Sequence, residues 1–403
     1  MQIVFVDTTL TTPPTGGGQT FLVSAAEAFA QRGFKVSVVT QKGADDSIIE
    51  ALRKVHAEVI DNLWSVFDLP DTRAEKLANW VNNQNPSVYI VSISPDCGWL
   101  ALPLLTLKTA TVSIAHNDVA AFFAPVAHYH ALLDCAVAVS AEIHRKLIAD
   151  CGMPPERTRQ IPYGIDPFSE AELSRRQKLR MSGGTLRIGY VGRIEQSQKR
   201  VMDFVPLVIE LARRGVDFTI DFVGDGSERL LLEEQLRQQA PMVSVKFWGW
   251  MSSSEVRSRL AELDVFVLMS DFEGLPVALL ESMGCGVAPV VSRIGSGNTE
   301  VVNDGENGFI VDPGDIDSFA DRLQKLASDP NLLQSLATKA WETSMDYSIE
   351  RMVERYLDLF AELTDLSFSR AHRRNAPHPY PVMESCVSPF PKWVRKLKLR
   401  FSQ

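Results

Sequence analysis

The chain has 403 residues, 45% hydrophobic and 23% charged, which is the balance of an ordinary globular protein long enough for two substantial domains. That balance excludes a disordered or collagen-like chain, and no run of about 18 apolar residues occurs that could span a membrane as a helix. The net charge of −9 is uneven: residues 366–403 hold eight Lys/Arg and one acid, leaving −16 on the rest, which disfavours nucleic acid as a partner.

The first residues, Met1-Gln2-Ile3-Val4-Phe5-Val6-Asp7, lack a basic start and read as a buried strand, not a signal peptide. Short apolar, β-branched runs at Ile3–Val6, Val36–Val39, Val88–Ile93, Thr111–Ala115 and Ala136–Val139 predict strands. Helices are expected between them, among them Phe21–Gln31, ended by Gly33, and Thr72–Asn82. Such alternation implies a parallel sheet with right-handed crossovers and helices on both faces. Residues 169–185 are polar and read as a break before the pattern restarts at Leu186–Gly192. Further strands are expected near Phe218–Val223, Val243–Phe247, Val265–Met269, Ala288–Val291 and Phe309–Val311.

The expected organisation is therefore α/β: one unit over 1–168, a second over 169–345, a helix over 346–365 and a basic, Pro-containing tail over 366–403. The helix carries Met352, Leu357, Phe360 and Leu363 among its apolar positions. Within 392–401, helical spacing would place Trp393, Val394, Leu397 and Phe401 on one face ringed by cations. That pattern suits an anionic membrane surface; a solvated basic tail is the alternative. Five cysteines without a CxxC pair argue for reduced thiols in a cytoplasmic protein, and seven histidines without HExxH argue against a dedicated metal site.

Three constellations carry chemistry. Gly16-Gly17-Gly18-Gln19 follows the first strand and opens a helix, so its unobstructed N–H groups can cradle an anion or a sugar. A dinucleotide fingerprint fails there, because Phe21 occupies the third glycine position and Val39-Thr40-Gln41 lacks the acid that would hold a ribose. Arg193 and Lys199 flank the loop leaving the first strand of the second unit, where open α/β sheets bind ligands; two cations there could neutralise a diphosphate. In Asp271-Phe272-Glu273-Gly274-Leu275-Pro276-Val277-Ala278-Leu279-Leu280-Glu281, a strand turns tightly into a helix whose free N–H groups point toward the same crevice. Glu273 and Glu281 form an E-x7-E pair, and a carboxylate such as Glu281 is a bidentate acceptor for a vicinal diol.

These segments, with Ile161-Pro162-Tyr163-Gly164-Ile165-Asp166, Val223-Gly224-Asp225-Gly226 and Phe247-Trp248-Gly249, recur in order over residues 1–345 and resemble the retaining nucleotide-sugar glycosyltransferases of family 4 type, marked by E-x7-E. The resemblance implies the GT-B architecture: two Rossmann-like, doubly wound parallel-sheet domains facing a central cleft, with acceptor on the N-terminal domain and donor on the C-terminal one. The 346–365 helix would pack back toward the N-terminal domain. His116, after the strand ending at Ala115, matches the family's active-site histidine, with a hydrogen bond to donor sugar or acceptor as its implied task. Arg193 and Lys199 would hold the donor diphosphate, Glu273 would lie beside the donor sugar, and Glu281 would hold the ribose. Gly16, Gly17, Gly18, Gly249, Gly274 and Leu275 complete the implied donor site.

The implied reaction is metal-independent transfer, with retention, from a nucleotide diphosphate sugar to a hydroxyl of a glycan or lipid-linked glycan, with no bound cofactor. A cytoplasmic location is expected, and the basic tail separately raises the expectation of docking on the inner membrane face. A sugar epimerase or phosphorylase of the same fold, or a catalytically silent nucleotide-sugar-binding protein, are the alternatives. Two positions depart from the family pattern. Arg200 follows Lys199 where glycine is usual, which is expected to change the loop near the phosphates, and Tyr163 stands where asparagine is common, so interdomain contacts there are expected to differ.

Overall fold

A computed structural model describes residues 1–383 apart from 9, 13–15, 42, 66, 93–95, 181–183, 296, 366–367, 378–379 and 382. The basic face expected over 392–401 lies outside the described residues. The first domain is built on seven strands: β1 (Gln2–Asp7), β2 (Lys35–Thr40), β3 (Glu58–Ile60), β4 (Val88–Val91), β5 (Ala110–Ala115), β6 (Cys135–Ala138) and β7 (Thr158–Gln160). The second has six: β8 (Leu186–Val191), β9 (Phe218–Val223), β10 (Ser244–Gly249), β11 (Val265–Leu268), β12 (Ala288–Ser292) and β13 (Phe309–Val311).

The strand orders are β3-β2-β1-β4-β5-β6-β7 and β10-β9-β8-β11-β12-β13. Every pairing is parallel. Both sheets thus reverse direction beside their first strand, between β1 and β4 and between β8 and β11. This is the doubly wound topology expected from the sequence, and it opens a crevice at the carboxyl ends of those strands. Strands β4, β5, β11 and β12 are wholly buried and β1 is buried beyond Gln2, as their β-branched, apolar composition requires when helices cover both faces.

Three elements differ from the sequence expectation. β3 and β7 are three-residue edge strands carrying Glu58, Arg159 and Gln160, so they lack the apolar run that marks a central strand. The polar stretch 169–185 contains the helix Glu170–Arg180, which turns Leu173 and Arg176 inward against the second domain. There Arg176 reaches the Leu263 carbonyl and Gln177 bonds Thr338 at 3.0 Å.

The chain crosses between domains twice, side by side. Ile165 pairs with the 347–349 segment through N–H···O=C bonds of 2.8 and 2.9 Å. The helix Ile349–Thr364 then lies on the first domain, with Phe360 5.7 Å from Phe29 and Tyr356 6.1 Å from Phe21, ring to ring. Beyond it, Arg370, His372 and Arg373 surround the buried carboxylate of Asp134 at 3.1–3.2 Å, and Tyr380 stacks on Tyr129. The described part of the tail is therefore a strap on the first domain. One further bridge joins the domains: the Glu300 carboxylate of the second accepts the Ala141 N–H of the first at 2.7 and 2.8 Å, at the start of the helix Ala141–Ala149. Gln160 also donates to Glu300, at 3.1 Å.

Candidate active site

The two sheets face each other across a cleft of about 700 Å³. Each wall is set by the switch point of its sheet. From the first domain come Gly16, Gly17, Gly18, His116, Phe122 and Tyr163. From the second come Arg193, Lys199, Glu273, Gly274, Leu275 and Glu281. Gly249 does not line the cleft. A register shift in β10 between Phe247 and Gly249 turns the chain there, the Gly249 carbonyl accepts the Gly224 N–H at 2.8 Å, and Trp250 and Met251 face the cleft instead.

Two helices begin at the cleft: Gly17–Gln31 from the first domain and Val277–Gly284 from the second, neither with a side-chain cap or an acid in its first turn. The Gln19 and Leu279 N–H groups bond back to the Gly16 and Pro276 carbonyls at 3.1 Å, while the first two N–H groups of each helix have no intrahelical acceptor and lie at the positive end of the helix dipole, a setting for an anion. The starts touch: a Cβ on Gly17 would lie 3.0 Å from Val277 Cγ2. A Cβ on Gly274 would fall 2.1 Å from the His116 carbonyl oxygen, so only glycine lets this loop seat against the opposite domain. Likewise a Cβ on Gly224 would sit 1.9 Å from Gly192 O, which packs the Val223–Gly226 loop onto the loop leading to Arg193.

Glu273 is buried and accepts from Lys199 Nζ at 2.6 Å, Ser270 Oγ at 2.7 Å and Gln198 Nε2 at 3.2 Å. Gln198 in turn accepts from Arg193 Nη2 at 2.8 Å, and Arg193 pairs with Glu195 at 2.9 Å. Glu273 thus anchors the cation wall, fixing Lys199 directly and Arg193 through one amide. Arg200 adopts a left-handed conformation, φ 47° and ψ 38°, which accounts for glycine at that position in the resemblance. Its guanidinium holds Asp203 at 2.8 Å and Asp271 at 3.0 Å, tying the loop after β8 to the turn after β11.

Glu281 lies five residues into its helix, half-buried, and among the described residues no group donates a hydrogen bond to its carboxylate. Burial without a partner pushes its pKa up to about 7. His116 is buried, and burial pulls its pKa down to about 3, so the ring is neutral. Both ring nitrogens are already engaged, Nε2 with Ser92 Oγ and Nδ1 with Tyr163 Oη, each at 2.8 Å. Ser92, Tyr163, Gln198 and Ser270 were not singled out as site residues from the sequence; that each polar side chain lies near a strand end was the available signal. Among the described residues, no three His, Cys, Asp or Glu side chains gather as a metal site would require.

Comparison with known proteins agrees with this architecture. Residues 15–167 match the family described as Glycosyltransferase Family 4, and residues 185–329 match Glycosyl transferases group 1. The chain is 36% identical over 155 residues to the lipopolysaccharide core biosynthesis glycosyltransferase LpsE of Rhizobium meliloti (strain 1021), covering 38% of this chain and 45% of that protein. It is 29% identical over 217 residues to the alpha-D-kanosaminyltransferase of Streptomyces kanamyceticus, covering 52% of this chain and 56% of that one. The matched part thus spans about half the length of these curated relatives. In fold, the chain resembles the Anabaena HepE crystal structure in complex with UDP and glucose, with a TM-score of 0.70 at 19% identity, covering 90% of this chain and 99% of that one. Matched in both halves and sharing the GT-B fold, the chain belongs to the family 4 glycosyltransferases.

Proposed function

We propose that this protein transfers a sugar, with retention of anomeric configuration, from a nucleotide diphosphate sugar to a hydroxyl of a glycan or lipid-linked glycan. The observation that carries this reading is the convergence, on one cleft, of two cations, two uncapped helix starts and an unpartnered carboxylate. The diphosphate lies against Arg193, Lys199 and the start of the helix Val277–Gly284. These groups stabilise the charge that builds on the β-phosphate as the bond to the sugar breaks, and their fixed positions spare reorganisation at that moment. Glu281 accepts both ribose hydroxyls. The sugar lies between Glu273 and His116, the acceptor enters from the first domain, and the leaving phosphate takes the acceptor's proton on the same face.

With this arrangement the charge neutralisation comes from side chains and helix ends, so no metal is needed in the reading. The complex of the Anabaena protein with UDP and glucose supports a uridine nucleotide as the first donor to test, and the lipopolysaccharide assignment of the Rhizobium relative supports a glycan acceptor. Nucleotide release from UDP-, GDP- and ADP-sugars, with and without chelator, checks the proposal. Slow release from one donor, lost in Glu281→Ala and accelerated only by a glycan or lipid-linked glycan, is the expected result. Turnover with inorganic phosphate or water alone would favour the phosphorylase or epimerase reading, and absence of any nucleotide binding would overturn the donor site.

A further inference from the structure

His116, Ser92 and Tyr163 come from three separate places in the first domain: just past β5, just past β4, and the segment that leaves β7 for the second domain. All three are buried. Tyr163 stacks on the His116 ring with centroids 5.8 Å apart and planes 16° from parallel, and Phe21 closes the other side at 5.3 Å from Tyr163 and 5.5 Å from His116. The backbone next to Tyr163 has little freedom, since a Cβ on Gly164 would lie 2.7 Å from Ile349 Cα. The phenol is therefore held in one place by the interdomain crossing.

A neutral imidazole carries one proton, so the two 2.8 Å contacts cannot both be donations from the ring. If Nδ1 held the proton, Tyr163 would accept it, and the phenol's own hydrogen would be left with the His116 carbonyl at 3.4 Å, beyond the usual O–H···O range. If Nε2 holds it, Tyr163 donates to Nδ1 and the ring donates to Ser92 Oγ, and both bonds are of normal length.

We propose that Tyr163 is a positioning residue: its hydroxyl donates to Nδ1 of His116, keeps the ring proton on Nε2, and so presents the ring as a hydrogen-bond donor, to Ser92 Oγ in the free protein and to a sugar hydroxyl in the loaded cleft. This rests on the glycosyl-transfer reading of the cleft. It gives His116 the role of an oriented neutral donor, not of an acid or base. It also gives a task to the tyrosine that stands where the family pattern has asparagine.

The test is long-range proton–nitrogen NMR on protein labelled with ¹⁵N-histidine, with the His116 signal assigned by its loss in His116→Gln. The wild type should show Nε2 protonated. Tyr163→Phe keeps the stacked ring but removes the donor, and should give a mixture of tautomers and a fall of roughly five- to tenfold in kcat/KM. Ser92→Ala should keep the Nε2–H form. Protonation at Nδ1 in the wild type, or an unaltered tautomer in Tyr163→Phe, would overturn the proposal, and the wild-type spectrum decides even if a variant folds poorly. A tautomer lost in Tyr163→Phe with no transfer from any donor would uphold the positioning role while removing the functional reading.

Discussion

Lowering the pH from 8 to 6 is expected to weaken donor binding about tenfold through Glu281 alone. With a free-state pKa of about 7, roughly nine tenths of Glu281 is ionised at pH 8 and roughly one tenth at pH 6. The ribose hydroxyls donate, so they bind the carboxylate and not the acid. The apparent Kd then scales inversely with the ionised fraction, a change of about 1.4 kcal/mol. His116 does not contribute, because burial keeps it neutral across this window. A nucleotide sugar is the proper probe, since its diphosphate is esterified at both ends and holds its charge, unlike the terminal phosphate of a free nucleotide. Calorimetry at constant ionic strength without acceptor gives the Kd, and Glu281→Gln should flatten the profile. A flat profile in the wild type, or the same slope in the variant, would refute the reasoning. The same residue carries a stability signature. Its folded pKa exceeds the ordinary 4.5, so as the pH rises from 4.5 to 7 the unfolded chain ionises first and the fold loses stability. Glu281→Gln should therefore raise the unfolding temperature at pH 8 and leave it unchanged at pH 4.

Three further outcomes follow from close contacts. Arg200→Ala removes both ion pairs and keeps the left-handed strain, whereas Arg200→Gly relieves the strain, so urea unfolding should find the glycine variant more stable than the alanine one by about 1 kcal/mol. Gly274→Ala drives a Cβ toward the His116 carbonyl oxygen, so small-angle scattering should report a more open molecule and transfer should be lost without loss of helix content. Glu300→Ala removes the acceptor that the second domain gives the Ala141 N–H and leaves only the Ser140 cap on that helix, at a cost of about 1 kcal/mol to the closed arrangement, and should raise the donor KM with little change in the unfolding temperature.

What could be read from the sequence depended on how each feature is encoded. β1, β4, β5, β11 and β12 are buried on both faces, so composition alone marks them. β3 and β7 pair on one side only and tolerate charge, which erases that mark. The helix Glu170–Arg180 buries few apolar groups and reads as a linker. Of the glycines read as a set, Gly274 is the one that a close backbone approach demands, yet Gly249 lies just before the residues that face the cleft, a slip that the register shift in β10 makes invisible in sequence. The partnership of Glu273 with Lys199 spans 74 residues and exists only after the sheet brings β8 beside β11. Spacing found both charges and could not show that one holds the other in place.

The paired crossings at Ile165 and Ser348 also set an order of assembly. The second domain is a continuous insertion, all of its strands made before residue 312 leaves the ribosome. The first domain begins earlier but still lacks the helix Ile349–Thr364, so Phe21 and Phe29 are without Tyr356 and Phe360 until residues 349–364 have been made. The half that is begun first is therefore finished last, and a chain truncated before residue 349 would carry a complete second domain beside a first domain with an uncovered aromatic seam.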